Sequence, residues 1–267
     1  MRRSAWVAVG AAVVAALSLV APAGAQGAST TTTPAQVPVH AASAGLSTLA
    51  SRVAPHIPGA ARYDGKIPAS VRQVIVVTAP RWRSTTGTVL LYQRSGSGWK
   101  RIAMWGARLG YGGLVVGTKR VQGTGTTPAG AYLITQAFGR QADPGTLLPY
   151  TKVGRNHWWV EDRRSAYYNQ MRLGTQGGFA LKTTGYNASE RLWYMGAQYD
   201  YAAVVDFNRP NPVIGRGAGI FLHALGTGAT GGCIAIRVDR IDRKSTRLNP
   251  VTRVYLVCRL LLEKKKT

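Results

Sequence analysis

The chain has 267 residues, 34 of them basic and 10 acidic, for a net charge of +24, and it carries 45% hydrophobic residues and two cysteines. That length supports one domain with a sizeable core, and two cysteines exclude a paired-cysteine metal site. No internal repeat, no GxSxG elbow and no phosphate-binding loop occurs along the sequence.

Residues 1–25 begin with Arg2 and Arg3, run apolar from Ala5 to Val20 and end in Ala21-Pro22-Ala23-Gly24-Ala25. This reads as a secretory signal peptide, the apolar run being short and rich in small residues for a membrane span, with an uncleaved N-terminal anchor as the alternative. Residues 26–60 are rich in Thr, Ala, Ser and Pro, including Thr30-Thr31-Thr32-Thr33-Pro34. Such a composition cannot bury enough apolar surface to order itself, so it predicts a disordered linker in which His40 and His56 are solvent-exposed.

From Val71 the pattern changes. Val74-Ile75-Val76-Val77 and Thr88-Val89-Leu90-Leu91-Tyr92 are strand-like runs, and a turn at Ser95-Gly96-Ser97-Gly98 separates the second from Trp99-Lys100-Arg101-Ile102. The 32 glycines and frequent short apolar runs predict a mainly β domain over residues 61–241. Asp162 to Arg172 is the stretch best suited to a short helix.

Gly219 to Ile236 holds the chemistry. An apolar run ends in His223, a loop of small residues follows, and Cys233 opens a second apolar run. Two β-formers around a glycine-rich connection bring His223 and Cys233 to the same end of a sheet. A thiol becomes a nucleophile when it loses its proton, and an imidazole nearby can take it. Gly231 and Gly232 let the backbone bend so that N–H groups face a developing oxyanion, with Thr230 beside them. A lone cysteine in a strand also fits a small core residue, and a histidine beside Phe and Leu fits a hydrogen-bonded interior one. His157, before Trp158 and Trp159, is a weaker base candidate because no nucleophile stands near it in the sequence.

His223, Thr230, Gly232 and Cys233 together resemble the L,D-transpeptidase (YkuD-type) signature of a histidine, a loop and Ser/Thr-x-Gly-Cys. Thr127-Pro128-Ala129-Gly130 and the following Phe138-Gly139 are similar to an upstream segment of that family. Trp158-Trp159-Val160-Glu161-Asp162 through Tyr168-Asn169 is similar to a secreted actinobacterial branch. The sequence departs from many members at Gly231, where they carry a second histidine, and at Ala235, where they carry arginine. Its nine-residue spacer between His223 and Cys233 is short. The resemblance implies a β-sandwich or barrel with one or two short helices. It further implies a Cys233 nucleophile, a His223 base, peptidoglycan stem peptides as substrate, and no metal or organic cofactor.

Asp242 to Asn249, with Tyr255 to Glu263 and Lys264-Lys265-Lys266, resembles the translation of a sequencing adapter. Residues 242–267 are therefore expected to make few native-like contacts, the natural C-terminus being absent. Without Arg2, Arg3 and the tail's eight basic and two acidic residues, 24 basic and 8 acidic residues remain, net +16. That charge fits anionic wall polymers and phospholipid head groups outside the cell, while no nucleic-acid-binding motif occurs. With Cys258 in the tail set aside, Cys233 has no disulfide partner, and an unpaired exported thiol favours function. The reading is a secreted, cell-wall L,D-transpeptidase-like enzyme. The alternatives are a non-catalytic wall-binding module and another wall cysteine endopeptidase, although the latter usually place Cys before His.

Overall fold

The computed structural model describes residue 67, residues 70–96 and 98–238, and the strand Val254–Leu260 with the side chains of Leu256 and Cys258. The signal segment, the linker, His40 and His56 lie outside these residues.

Three long strands open the domain, β1 (Gln73–Ala79), β2 (Thr86–Ser95) and β3 (Gly98–Arg108), joined as an antiparallel meander. They coincide with the three runs expected from sequence, and the glycine turn at residues 95–98 makes the second hairpin. Every residue of β1 is buried because both of its faces are covered. Successive side chains point to opposite faces, so Ile75 and Val77 enter one core while Val74 and Val76 enter another with Val71 and Tyr92.

β4 (Leu114–Val116) runs parallel to the start of β5 (Thr127–Gly139), and β6 (Tyr150–Lys152) runs parallel to its end. β7 (His157–Trp159), β8 (Met171–Leu173) and β9 (Glu190–Arg191) form a separate three-stranded sheet in the order β8-β7-β9. β10 (Ala202–Val205), β11 (Phe221–Ala224), β12 (Ile234–Ile236) and β13 (Val254–Leu260) complete the main sheet. Its path is β10-β11-β12-β3-β2-β1-β13-β5-β4, and β10 also pairs with β5. That extra pairing closes the path on itself, so the main sheet is a barrel and the mainly β expectation holds.

Two expectations are corrected. Residues 162–172 are not a helix. Up to Gln170 they form turns held by Asp162, whose Oδ1 accepts from Arg164 N at 3.0 Å, and by Ser165, whose Oγ accepts from Tyr167 N at 3.0 Å, and Met171 and Arg172 open β8. Short polar side chains that bond their own backbone favour turns over helix. The helical segments among the described residues are 3₁₀ turns, the longest being Leu192–Tyr199 with a break at Gly196. The second correction concerns the tail. Val254–Leu260 does not stand apart but lies between β1, to which it is parallel, and β5, to which it is antiparallel. Leu256 and Cys258 are fully buried in the barrel core, beside Ile75, Leu91, Ile134 and Leu222. An apolar β-forming run satisfies the hydrogen-bonding edges of both neighbours, which would otherwise be left open.

A third core, on the outer face of β10 and β11, is aromatic. Phe221 stands edge-on to Phe138 at 5.1 Å, to Trp159 at 4.9 Å and to Tyr199 at 5.7 Å. Cys233 packs into this cluster.

Candidate active site

β11 and β12 lie side by side and parallel, with Leu222 opposite Ile234 and His223 opposite Ala235. The register sets Cys233, just before β12, beside Phe221. Leu222 and Ile234 point into the barrel core, so Phe221 and Cys233 face the other way. Side chains of His223 and Cys233 then open into one cleft of about 990 Å³, which Tyr199, Glu161, Glu190 and Arg120 also line. The structure thus brings together the histidine and cysteine singled out from sequence. His157 is elsewhere, in the small sheet, where its Nδ1 accepts from Gly154 N at 2.9 Å.

Cys233 Sγ accepts from Phe221 N at 3.3 Å and donates to Gly219 O at 3.3 Å. Burial pushes its ionisation well above the ordinary thiol range, and Glu190 adds to that, while the Phe221 N–H opposes it. His223 Nδ1 lies 2.8 Å from Ala224 O. A carbonyl only accepts, so Nδ1 carries the proton and Nε2 is the basic nitrogen. Burial lowers the imidazole's pKa, against a raising effect of that carbonyl. At neutral pH both groups are therefore uncharged. The Tyr199 ring stands edge-on to the imidazole at 5.2 Å and fixes its plane.

The turn before Cys233 is tightly tied. Gly232 N donates to Thr230 Oγ1 at 3.1 Å, and Thr230 Oγ1 donates to Cys233 O at 2.7 Å. Gly232 N–H, expected to face an oxyanion, is thus given to Thr230, whose hydroxyl closes the turn. Gly232 has φ +138°, and a Cβ there would lie 2.8 Å from both Thr126 O and Arg120 Nη2, so glycine is required twice over. A Cβ on Gly231, by contrast, meets nothing within 4 Å. Thr127 explains the upstream segment. Its hydroxyl accepts from Gly110 N at 2.8 Å and reaches Cys233 O at 3.5 Å, so that segment meets the cysteine turn in space.

The sequence pattern of the YkuD family, described as the L,D-transpeptidase catalytic domain, matches residues 73–256. The chain belongs to that family. No curated protein matches it. The solved structure of Bd1075 from Bdellovibrio bacteriovorus is similar at 15% identity and a TM-score of 0.32. The match covers 72% of this chain and 52% of that one, so the chain spans about half of its length.

Sequence reasoning missed the charged lining of the L,D-transpeptidase-like cleft. Glu161 and Glu190 sit half-buried in it. Burial, together with Glu190, pushes Glu161 up to about 8 against the opposing pull of Arg120. Burial pushes Glu190 up to about 7, although its Oε1 accepts from Tyr199 OH at 2.7 Å. Glu161 lay in the Trp-Trp-Val-Glu-Asp run that carried part of the resemblance. Glu190 and Arg120 stood in no motif, and only the fold shows their place.

Asn169, of the Tyr168-Asn169 pair, organises the wall behind Cys233. Its Oδ1 accepts from Trp159 Nε1 at 3.0 Å and from Gly219 N at 3.1 Å, while its Nδ2 donates to Phe207 O at 3.0 Å. Gly219, whose carbonyl receives the thiol, is therefore fixed through one buried amide.

Proposed function

We propose that this chain is a cysteine-dependent L,D-transpeptidase acting on peptidoglycan stem peptides outside the cytoplasmic membrane. The observation that carries the reading is the shared cleft of Cys233 and a buried His223 whose Nδ1 is tied to Ala224 O, leaving Nε2 as base. Cys233 Sγ attacks the carbonyl that follows the L-centre of a diamino acid in a donor tetrapeptide, and His223 Nε2 takes the thiol proton. The tetrahedral intermediate collapses by breaking the bond to the terminal D-alanine, whose nitrogen leaves with the proton from His223. An acceptor amine then attacks the thioester and gives its proton to His223, and the sulfur departs to recover the thiol. Water in place of the amine gives L,D-carboxypeptidation.

For the oxyanion, the N–H of Cys233 and that of Gly232 are the nearest backbone donors by position, and Gly232 must exchange its bond to Thr230 Oγ1 to serve. The net charge of +16 that remains without Arg2, Arg3 and the tail supports a place among anionic wall polymers.

Incubation with a purified tetrapeptide stem tests this reading. Release of free D-alanine by the wild type, absent in Cys233→Ala, is expected. Cleavage at an internal bond would indicate a wall endopeptidase, and binding without release would indicate a non-catalytic module.

A further inference from the structure

Arg120 is a buried cation in the loop between β4 and β5, 5% exposed. Its Nε donates to Thr126 O at 2.7 Å, its Nη1 to Arg216 O at 3.2 Å, and its Nη2 makes a long contact to Gly231 O at 3.5 Å. These carbonyls belong to the β4–β5 loop, the segment before β11 and the cysteine turn, which one guanidinium ties together. Its guanidinium also lies 5.5 Å over the Phe207 ring, which closes its apolar side. Among the described residues no carboxylate forms an ion pair with it. Two glycines admit it. A Cβ on Gly217 would overlap Nη1, and one on Gly232 would crowd Nη2.

We propose that Arg120 is a positioning residue for Cys233, clamping the Gly231–Gly232 turn and setting a buried positive charge beside the sulfur. The proposal rests on the reading of Cys233 as the acyl carrier. The charged and titratable groups facing the thiol make the need for a cation plain. Glu161, beyond β7, and Glu190, on β9, oppose a thiolate, while Tyr199 on its 3₁₀ turn is kept a neutral phenol by burial. His223 on β11 is kept neutral by burial. Gly231 and Ala235 carry no charge. Arg163 and Arg191 line the same cleft but stack on Tyr186 and Tyr194 at 4.4 and 3.9 Å. Arg120 is the cation that touches the turn itself, and burial makes that charge felt over a few ångströms with little screening. A planar guanidinium reaches three carbonyls spread around its edge, whereas an ammonium carries its three donors on a single nitrogen.

The test uses the full chain and two readouts. Iodoacetamide alkylation of Cys233 across pH, followed by peptide mass spectrometry to separate it from Cys258, reports thiol ionisation. Carbapenem adduct formation reports the aligned site. Arg120→Gln is expected to raise the alkylation midpoint by about one pH unit and slow alkylation about tenfold at pH 7. Arg120→Lys is expected to keep the wild-type midpoint, because the charge remains, while adduct formation slows about tenfold because the clamp is lost. An unchanged midpoint in Arg120→Gln, or wild-type adduct formation in Arg120→Lys, overturns the proposal. If thermal melting shows Arg120→Gln unfolded, Arg120→Lys decides alone. A kept midpoint with slowed adduct formation then supports the proposal, and a raised midpoint or unaltered adduct formation refutes it. Alkylation needs no transpeptidase chemistry. A wild type that forms no carbapenem adduct therefore defeats the functional reading, and the alkylation midpoints still decide the role of Arg120.

Discussion

The Cys233 thiol donates to the Gly219 carbonyl, 3.3 Å away, so the resting sulfur is held as a neutral hydrogen-bond donor. A thiolate has no hydrogen to give that carbonyl and would be repelled by it. His223 is neutral as well, its pKa lowered chiefly by burial. The resting pair is thus thiol plus imidazole, with the proton moving during attack. Carbapenem acylation is expected to rise with pH from about 5 to 9, with an inflection below the ordinary histidine value of about 6.5. Gly231→His is sterically free, since a Cβ there meets nothing within 4 Å, and the added imidazolium should move the rise to lower pH. A wild-type rate flat down to pH 5 would mean a preformed ion pair.

Asn169→Ala is expected to cost about 2–4 kcal/mol, since it leaves the buried Trp159 Nε1–H, Gly219 N–H and Phe207 C=O without their shared partner. Acylation should slow too, because Gly219 carries the carbonyl that holds the thiol. A denaturant midpoint within error of wild type would show that the amide is not the anchor.

Glu161→Gln tests the acidic lining. In the folded chain this carboxyl stays protonated up to about 8, against an ordinary value of 4.5. Its contribution to stability is full below 4.5 and is lost as pH rises to about 8, because over that range the folded state keeps a proton that the unfolded state has released. Glu190 acts in the same direction up to about 7, whereas His223, lowered, costs stability below its ordinary value. Between pH 6.5 and 8.5 the glutamates therefore dominate. Wild-type Tm should fall across this window, and Glu161→Gln should gain about 1 kcal/mol at pH 8 relative to pH 6.5. An equal pH dependence in both proteins would remove Glu161 from the account.

β13 offers a test by deletion. Residues Val254–Leu260 fill the gap between β1 and β5. A chain ending at residue 241 leaves both edges open and is expected to lose its cooperative melt and to aggregate. A truncated chain that melts like the full one would show that the gap needs no strand. Genomic sequence across the locus that diverges after residue 241 would have to supply another apolar β run of similar length.

Much of this was legible beforehand because it follows local rules. β1, β2 and β3 announce themselves by apolar β-formers and a glycine turn, and His223 and Cys233 by two short runs around a flexible loop. What escaped depends on contacts between distant segments. Arg120 meets Arg216 and Gly231 across about a hundred residues, and Tyr199 meets Glu190 and His223 only after the small sheet folds over β11. Residues 162–172 depart from the expected helix because Asp162 and Ser165 turn the backbone through side-chain bonds, which helical spacing does not reveal. The place of Val254–Leu260 was hidden because its partners lie more than 100 residues earlier in the chain.

The most direct test of Cys233 as acyl carrier is intact-mass analysis after incubation with a carbapenem. The wild type should gain one adduct, mapped to Cys233 and not to the core-buried Cys258. Cys233→Ala should gain none, and His223→Ala should acylate about 10²- to 10⁴-fold more slowly. An adduct that survives Cys233→Ala would contradict the account.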